Sequence, residues 1–426
     1  MKIAIIGSGA LGCFFGAYLS TANEVCMIAR REKVVDSINK DGITVYEKDG
    51  SVGHYKKNVS AALSGKCPET VDLVLMTVKG YDTESAMEIN KNLIGDDTIL
   101  MTVQNGGGND LKLSKFVPRN HVIIAVTTDN AVNLDNGNIS HSGKGVTTLG
   151  GDKDTARFDE VVAAFNASKI EYAVSDNIQR IIWNKLFVNL SINSFTAITK
   201  SPIGMLIDNE YAWNFAEKLV CEAIDVAEAE GQHFSYLDVL SFIRSTCTEV
   251  AGGFSSMSQD VMNCRRTEID TINGYVVDRA AVHNVPAPYN TFVRNLVHAI
   301  ENTYKEQIKQ KDKYNAGDII VREGEDDPTL YKVMHGSVGL YLNHGKENEY
   351  LLGINAKGSS FGEYSCFSGK ASPYTAIAEE ETIVMAIPKK DVHNYICLNP
   401  RNAEELFTTM SNKVAMLSKH IGLLNP

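Results

Sequence analysis

The chain opens on Lys2-Ile3-Ala4-Ile5-Ile6 and runs straight into Gly7-Ser8-Gly9-Ala10-Leu11-Gly12, where a stretch of helical character begins. A short strand feeding G-x-G-x-x-G and then a helix leaves the backbone few options. The first glycine makes the tight turn, the second clears the main chain for a pyrophosphate, and the third lets helix pack on strand. The helix N-terminus then presents free N–H groups and a partial positive charge to an anion. Gly7, Ser8, Gly9, Ala10, Leu11 and Gly12 are therefore the first candidate cofactor residues. Met1 to Ala22 also has the lysine, apolar stretch and small residues of a secretory leader. The three glycines, and the strand-like run from Glu24 to Ala29 soon afterwards, favour strand, turn and helix, and with them a cytoplasmic protein.

At the end of that second run a carboxylate would bind a ribose 2′-hydroxyl, but the chain has Arg30 and Arg31. A guanidinium forks onto a 2′-phosphate where a carboxylate would repel it, so NADPH is favoured over NADH; the bland alternative is two solvated loop charges. The runs KIAIIG, EVCMIAR, DLVLMTVK, TILMTVQ and HVIIAVT alternate with helical stretches. That alternation predicts a parallel sheet covered on both faces, an α/β Rossmann-type domain over residues 1–172.

From Asn177 to Thr303 apolar residues recur at helical spacing, which predicts an all-α domain over 173–304. Lys305 to Lys313 reads as a helix end running into a linker. After Tyr314 short alternating strands are punctuated by glycines such as Gly317, Gly324, Gly336 and Gly345, the texture of an all-β jelly-roll closed by one or two helices from Lys390, over 305–426. A length of 426 residues fits three such domains better than one core.

The net charge of −11 argues against broad contact with nucleic acid or an anionic membrane. No other stretch approaches the ~20 apolar residues of a membrane span. The eight cysteines form no C-x-x-C pair and no two histidines stand at H-x-x-x-H spacing, so reduced core thiols and no metal site are expected.

Within WNKLFVNLSIN, Lys185, Asn189 and Asn193 follow one another at i, i+4 steps and share a sector of roughly 80°. A lysine on a partly buried face can have its pKa lowered, which suits a general acid, and amides a turn away can hold a polar substrate. Spacing alone equally fits an exposed polar stripe. Further on, Ser256 with Gln259 fits a capping box, and Glu268 fits a helix first turn.

The ordered set GSGALG, VDLVLMTVKGYDT, QNGGG, TTDNA, WNKLFVNLSINSFTAI and SSMSQDVMNCRRTEIDTINGY resembles the ketopantoate reductases over residues 1 to 300. The resemblance implies transfer of a hydride from NADPH to the C2 carbonyl of 2-dehydropantoate, giving pantoate on the way to pantothenate and coenzyme A. It implies Lys185 as proton donor, Asn189, Asn193 and Ser256 as substrate-binding residues, and Glu268 as an acid between substrate and cofactor. It also implies Asn105 against nicotinamide and substrate, Lys79 facing the cleft, and Ala131 where the backbone meets the cofactor. The family often has His where this chain has Asp129. Two other readings stay open: a reductase of a different 2-oxo acid, and a non-catalytic NADP(H) or metabolite sensor.

The segments AGDIIVREGEDDPTLYKVMHGSVGLYL and GSSFGEYSCFSGKASPYTAIA resemble a cyclic-nucleotide-binding domain. There the F-G-E turn, here Gly362 and Glu363, binds ribose and phosphate, and an arginine neutralises the cyclic phosphate. Tyr374 stands at the arginine's position, with Lys370 nearby. A phenol cannot replace a bidentate cation, so a cyclic nucleotide and a degenerate module for regulation or assembly both remain. The chain ends too soon after the roll for a DNA-reading helix-turn-helix, and a closing helix suits a homo-oligomer.

Overall fold

A computed structural model describes residues 1–424 except 68, 144, 152, 153, 169, 309, 310 and 399, and their side chains except at 305–308, 311, 393–394, 397–398, 400–401 and 416–424. The chain packs as two compact units, one of residues 1–258 and 267–297, the other of 259–266 and 298–426.

The first unit begins with β1 (Lys2–Ile6), α1 (Ala10–Leu19), β2 (Glu24–Ala29), α2 (Glu32–Asp41), β3 (Ile43–Glu47), β4 (Val52–Tyr55), β5 (Val59–Leu63), β6 (Leu73–Met76) and α3 (Thr83–Ile89). It continues with β7 (Ile99–Thr102), α4 (Asn109–Leu113), β8 (Val122–Thr127), β9 (Asn130–Asp135), β10 (Asn138–Gly143), β11 (Thr147–Gly150), α5 (Phe158–Ala167) and β12 (Tyr172–Val174). Six strands run parallel in the order β5-β2-β1-β6-β7-β8. Ranked by chain position that order is 3-2-1-4-5-6, the doubly wound arrangement, and its switch point lies between β1 and β6. β11 adds antiparallel to β8, and β12 parallel to β11.

Alternate residues of one strand serve opposite faces of this sheet, as strand pleating requires. Ile3, Ile5, Leu73 and Leu75 enter one core with Phe15 and Leu19 of α1. Ala4, Ile6, Val74 and Met76 enter the other with Met87 of α3 and Leu113 of α4. A second sheet, β4-β3-β10-β9, has β3 and β10 parallel and its other pairs antiparallel. No run in the sequence announced it, because β4, β9 and β10 are short, polar and half-exposed.

Helices follow: α6 (Ile178–Thr199), α7 (Met205–Asp208), α8 (Glu210–Ala229), α9 (Tyr236–Glu249), α10 (Ser256–Met262), α11 (Asn273–His283) and α12 (Pro288–Ile308). Among the described residues from 177 to 303 there is no strand.

The second unit contains β13 (Lys311–Tyr314), β14 (Ile319–Val321), β15 (Thr329–His335), β16 (Ser337–Leu342), β17 (Tyr350–Ala356), β18 (Ser360–Phe361) and α13 (Glu363–Ser368). β19 (Thr375–Ala378), β20 (Thr382–Pro388), α14 (Lys389–Leu398) and α15 (Pro400–Leu424) complete it. Two antiparallel sheets, β13-β20-β15-β18 and β14-β19-β16-β17, enclose Val333, Val338, Leu340, Phe361, Ala376 and Val384. Val392 and Leu406 of the closing helices pack on Leu330 and Ile387. One expectation is corrected: Lys311 to Lys313 belong to a strand, not a linker. That edge strand pairs with β20 through its backbone, and a sheet edge is where charged side chains, lysine above all, are accommodated.

Candidate active site

The glycine turn lies at the switch point. A Cβ on Gly7 would come 2.7 Å from Thr77 Oγ1 and one on Gly12 1.9 Å from the Gly7 carbonyl oxygen, whereas one on Gly9 would enter open space. The outer glycines are therefore required by packing and the middle one leaves the main chain approachable. Thr77 Oγ1 donates to the Gly7 carbonyl at 2.9 Å and pins the turn. Gly9 caps α1 without a side chain that could occupy the N–H groups of its first turn, so these residues fit a dinucleotide pyrophosphate. Ser8, Ala10 and Leu11 complete the turn and open α1, and Ala131 lies partly buried on β9.

The two arginines separate. Arg31 forks onto the carboxylate of Asp135 through both Nη atoms, so its guanidinium is already engaged. Arg30 is more exposed, its side chain 83% accessible, and stands 3.5 Å from Asp82.

Helix α6 starts where the Asn177 side chain accepts the Arg180 N–H at 3.1 Å, and its Ile178 and Ile182 pack on Ile124 of β8. That packing brings Lys185 to the end of β8, where its Nζ donates to the Thr127 carbonyl at 2.8 Å. Burial pushes the Lys185 ammonium down to about 8, against the opposing pull of the Glu268 carboxylate. Asn189, one turn on, is partly buried, and Asn193 is buried.

Glu268 is buried too. Its Oε2 accepts from Lys79 Nζ at 3.1 Å and its Oε1 from the Gly80 N–H at 3.1 Å. It thus reaches the loop after β6 rather than answering a helix dipole. Asn105 follows β7 on the QNGGG loop, which docks closely: the Gly107 N–H donates to the Thr271 carbonyl at 2.8 Å, and a Cβ on Gly106 would lie 2.1 Å from that same oxygen. Gln104 anchors the loop, its Nε2 donating to the Val78 carbonyl and Thr83 Oγ1.

Ser256 opens α10. It is exposed, and the hydroxyl that accepts the Ser258 N–H at 3.1 Å is that of Ser255, so the proposed capping box with Gln259 is one residue out of register. Ser255 also bonds Thr196 Oγ1 of α6 at 2.7 Å, a link that two adjacent serines conceal in the sequence.

In the second unit the Gly362 N–H donates to Tyr374 Oη at 2.8 Å, and Glu363 Oε1 accepts from Lys413 Nζ at 2.7 Å. Burial raises the Tyr374 phenol above its ordinary pKa, while Lys370 is exposed. Among the described residues no cluster of His, Cys, Asp or Glu could hold a metal ion, and no helix is long and apolar enough to cross a membrane.

A doubly wound sheet whose glycine turn lies at the switch point, joined to a helical half that delivers a lysine to the sheet's carboxyl edge, defines a nicotinamide-dependent oxidoreductase. The family model "Ketopantoate reductase PanE/ApbA" matches residues 3–153 and its companion "Ketopantoate reductase PanE/ApbA C terminal" matches 177–301. The chain belongs to the ketopantoate reductase family, and its residues 311–397 match the "Cyclic nucleotide-binding domain".

The 2-dehydropantoate 2-reductase of Halobacterium salinarum is 33% identical over 301 residues, 70% of this chain and 98% of that protein. The Pyrococcus horikoshii enzyme of the same name is 32% identical over 306 residues, 71% and 98%. Among solved structures, a PanE/ApbA family ketopantoate reductase from Ralstonia eutropha matches with TM-score 0.66 and 30% identity over 72% of this chain and 100% of the other. A ternary structure of D-mandelate dehydrogenase with NADH and anilino(oxo)acetate matches at TM-score 0.66 and 29% identity, again over 72% and 100%.

Proposed function

We propose that the chain reduces 2-dehydropantoate to pantoate with NADPH, supplying pantoate for pantothenate and coenzyme A, as a cytoplasmic homo-oligomer. The observation that carries this reading is the convergence of Lys185, with an ammonium lowered to about 8, on the edge of the sheet within the field of Glu268. When bound, the nicotinamide supplies the hydride. Gly7, Ser8, Gly9, Ala10, Leu11 and Gly12 would hold its pyrophosphate, with Arg30 and Arg31 at the adenosine 2′-phosphate; Arg31 reaches it only by leaving Asp135. Lys79, Asn105, Ala131 and Glu268 would line the nicotinamide end. Asn189, Asn193 and Ser256 would hold the substrate's carboxylate and hydroxyl groups.

Negative charge grows on the carbonyl oxygen only as the hydride arrives, so an ammonium placed there stabilises the transition state selectively and then gives up its proton. A lysine near pH 8 does so more readily than an ordinary one. We assign cofactor binding to residues 1–172, substrate binding and proton donation to 173–304, and a regulatory or assembly role to 305–426. A cyclic nucleotide bonding Gly362 and Glu363 would compete with Tyr374 and Lys413, which bond those residues internally.

The likeness to D-mandelate dehydrogenase favours a second reading, in which a 2-oxo acid with an aromatic side chain, reduced with NADH, is the substrate. NADPH and NADH oxidation by the full chain with 2-dehydropantoate and with an aryl 2-oxo acid decides between them. Turnover of 2-dehydropantoate, abolished by Lys185→Ala with cofactor binding intact, is the expected result. Cofactor binding with no turnover of any 2-oxo acid would favour a sensor.

A further inference from the structure

Asp129, on the turn between β8 and β9, is nearly inaccessible, its side chain 4% exposed, and yet it is bonded from several sides. Its Oδ1 accepts from the Gly145 N–H at 2.9 Å and lies 3.3 Å from His141 Nε2. Its Oδ2 accepts from Thr127 Oγ1 at 3.0 Å. The Thr127 hydroxyl takes the Asp129 N–H at 3.1 Å and a hydrogen bond from Thr147 Oγ1 at 3.0 Å. The carbonyl of that same Thr127 receives Lys185 Nζ.

The chain of contacts continues away from the lysine. His141, 3% exposed on β10, sets Nδ1 2.8 Å from Glu47 Oε2 on β3, and Tyr18 of α1 donates to Glu47 Oε1. Phe14 of α1 covers the imidazole, ring centroids 4.8 Å apart. Carboxylates only accept, so a ring held between two of them satisfies both when each nitrogen carries a proton. The imidazole thus bridges two buried carboxyl groups, and removing any member leaves buried polar atoms of its neighbours without that partner.

We propose that Glu47, His141 and Asp129 are positioning residues, a buried chain of hydrogen-bonded groups that fixes the Thr127 carbonyl and through it the Lys185 ammonium. The proposal rests on the reading of Lys185 as proton donor. The groups facing the chain are Tyr18 from α1, Glu47 from β3, Tyr55 from β4 and Asp129 itself, with Lys48 and Asp49 lining the adjoining cleft; Lys185 feels Glu268.

The test compares kcat, KM for both substrates and the pH profile of kcat in Asp129→Asn, His141→Gln and Thr127→Val, with Lys185→Ala alongside. An amide at 129 turns one acceptor into a donor facing a donor, and valine at 127 removes only the hydroxyl. Each should lower kcat roughly tenfold, the scale on which small misplacements of a reacting group act, with KM for NADPH within about twofold. The alkaline limb of kcat should move down by about half a pH unit or more, because an ammonium that loses an acceptor loses its proton sooner. The Asp129→Asn/His141→Gln double variant should be no worse than its worse parent, as members of one network are not additive.

If Asp129→Asn does not fold, Thr127→Val decides the matter. Wild-type kcat and an unmoved alkaline limb in Thr127→Val, with Lys185→Ala inactive, would overturn the positioning role and leave the proton donor standing. Turnover surviving in Lys185→Ala would overturn both.

Discussion

Replacing Lys185 by methionine should make the protein more stable at neutral pH while removing its turnover. Burial lowers the Lys185 ammonium from 10.5 to about 8, and at about 1.4 kcal/mol per unit that is a cost of about 3 kcal/mol carried by the folded state. In the unfolded chain the lysine binds its proton with ordinary affinity. Between pH 8 and 10.5 the unfolded state therefore binds more protons than the folded one, and stability rises with pH through that window. Below pH 8 the full penalty is present.

Methionine has similar length, no charge, and no such penalty. It leaves the Thr127 carbonyl without the donor it has in Lys185, a loss of about 1 kcal/mol, so the net gain at pH 7 is about 2 kcal/mol. For a unit of this size that is a rise in Tm of roughly 3–6 °C. The gain should shrink steadily above pH 8 and vanish near pH 10. Melting curves of wild type and variant at pH 7, 8.5 and 10 measure this directly. In the same preparations kcat should fall by about 10²-fold or more in the variant, and wild-type kcat should decline above pH 8 as the ammonium is lost. A variant no more stable than wild type at pH 7, or a difference in Tm unchanged between pH 7 and 10, would refute the claim that the ammonium is held at an energetic cost.

Gly12→Ala sets a Cβ 1.9 Å from the Gly7 carbonyl oxygen; an overpacking cost of about 2 kcal/mol should appear as a roughly thirtyfold rise in Kd for NADPH, read by fluorescence titration. Arg30→Ala should weaken NADPH about tenfold and leave NADH unchanged, since a charge-assisted bond to the 2′-phosphate is lost; equal weakening of both cofactors would exclude Arg30 from the 2′-phosphate.

The parts of this fold that were readable from sequence are those where burial forces composition. β6 and β7 are buried along their whole length, so only unbroken apolar runs could fill them. The second sheet carries no such demand: strands such as NISHSG on β10 alternate burial with exposure and find their partner β3 some ninety residues earlier. Spacing put Lys185, Asn189 and Asn193 on one face, but that the face is turned inward follows from Ile178 and Ile182 docking on β8. Nothing local to Glu268 announces its bonds to Lys79 and Gly80, which lie 189 and 188 residues earlier. Arg31 was legible as a cation and not as the partner of Asp135, because that pairing depends on where β9 ends.

The bonds from Gly362 to Tyr374 and from Glu363 to Lys413 have a consequence for chemical competition. A phenol and an ammonium belonging to the same chain act as tethered ligands, with effective concentrations of order millimolar or above. A free nucleotide reaching these groups would bind by exchange, and its apparent affinity would be reduced by the fraction of molecules in which the tethered groups are already home. Because Lys413 lies on α15, the first element to feel that exchange would be the closing helix, so occupancy of the roll would be reported as movement at the C-terminal end of the chain.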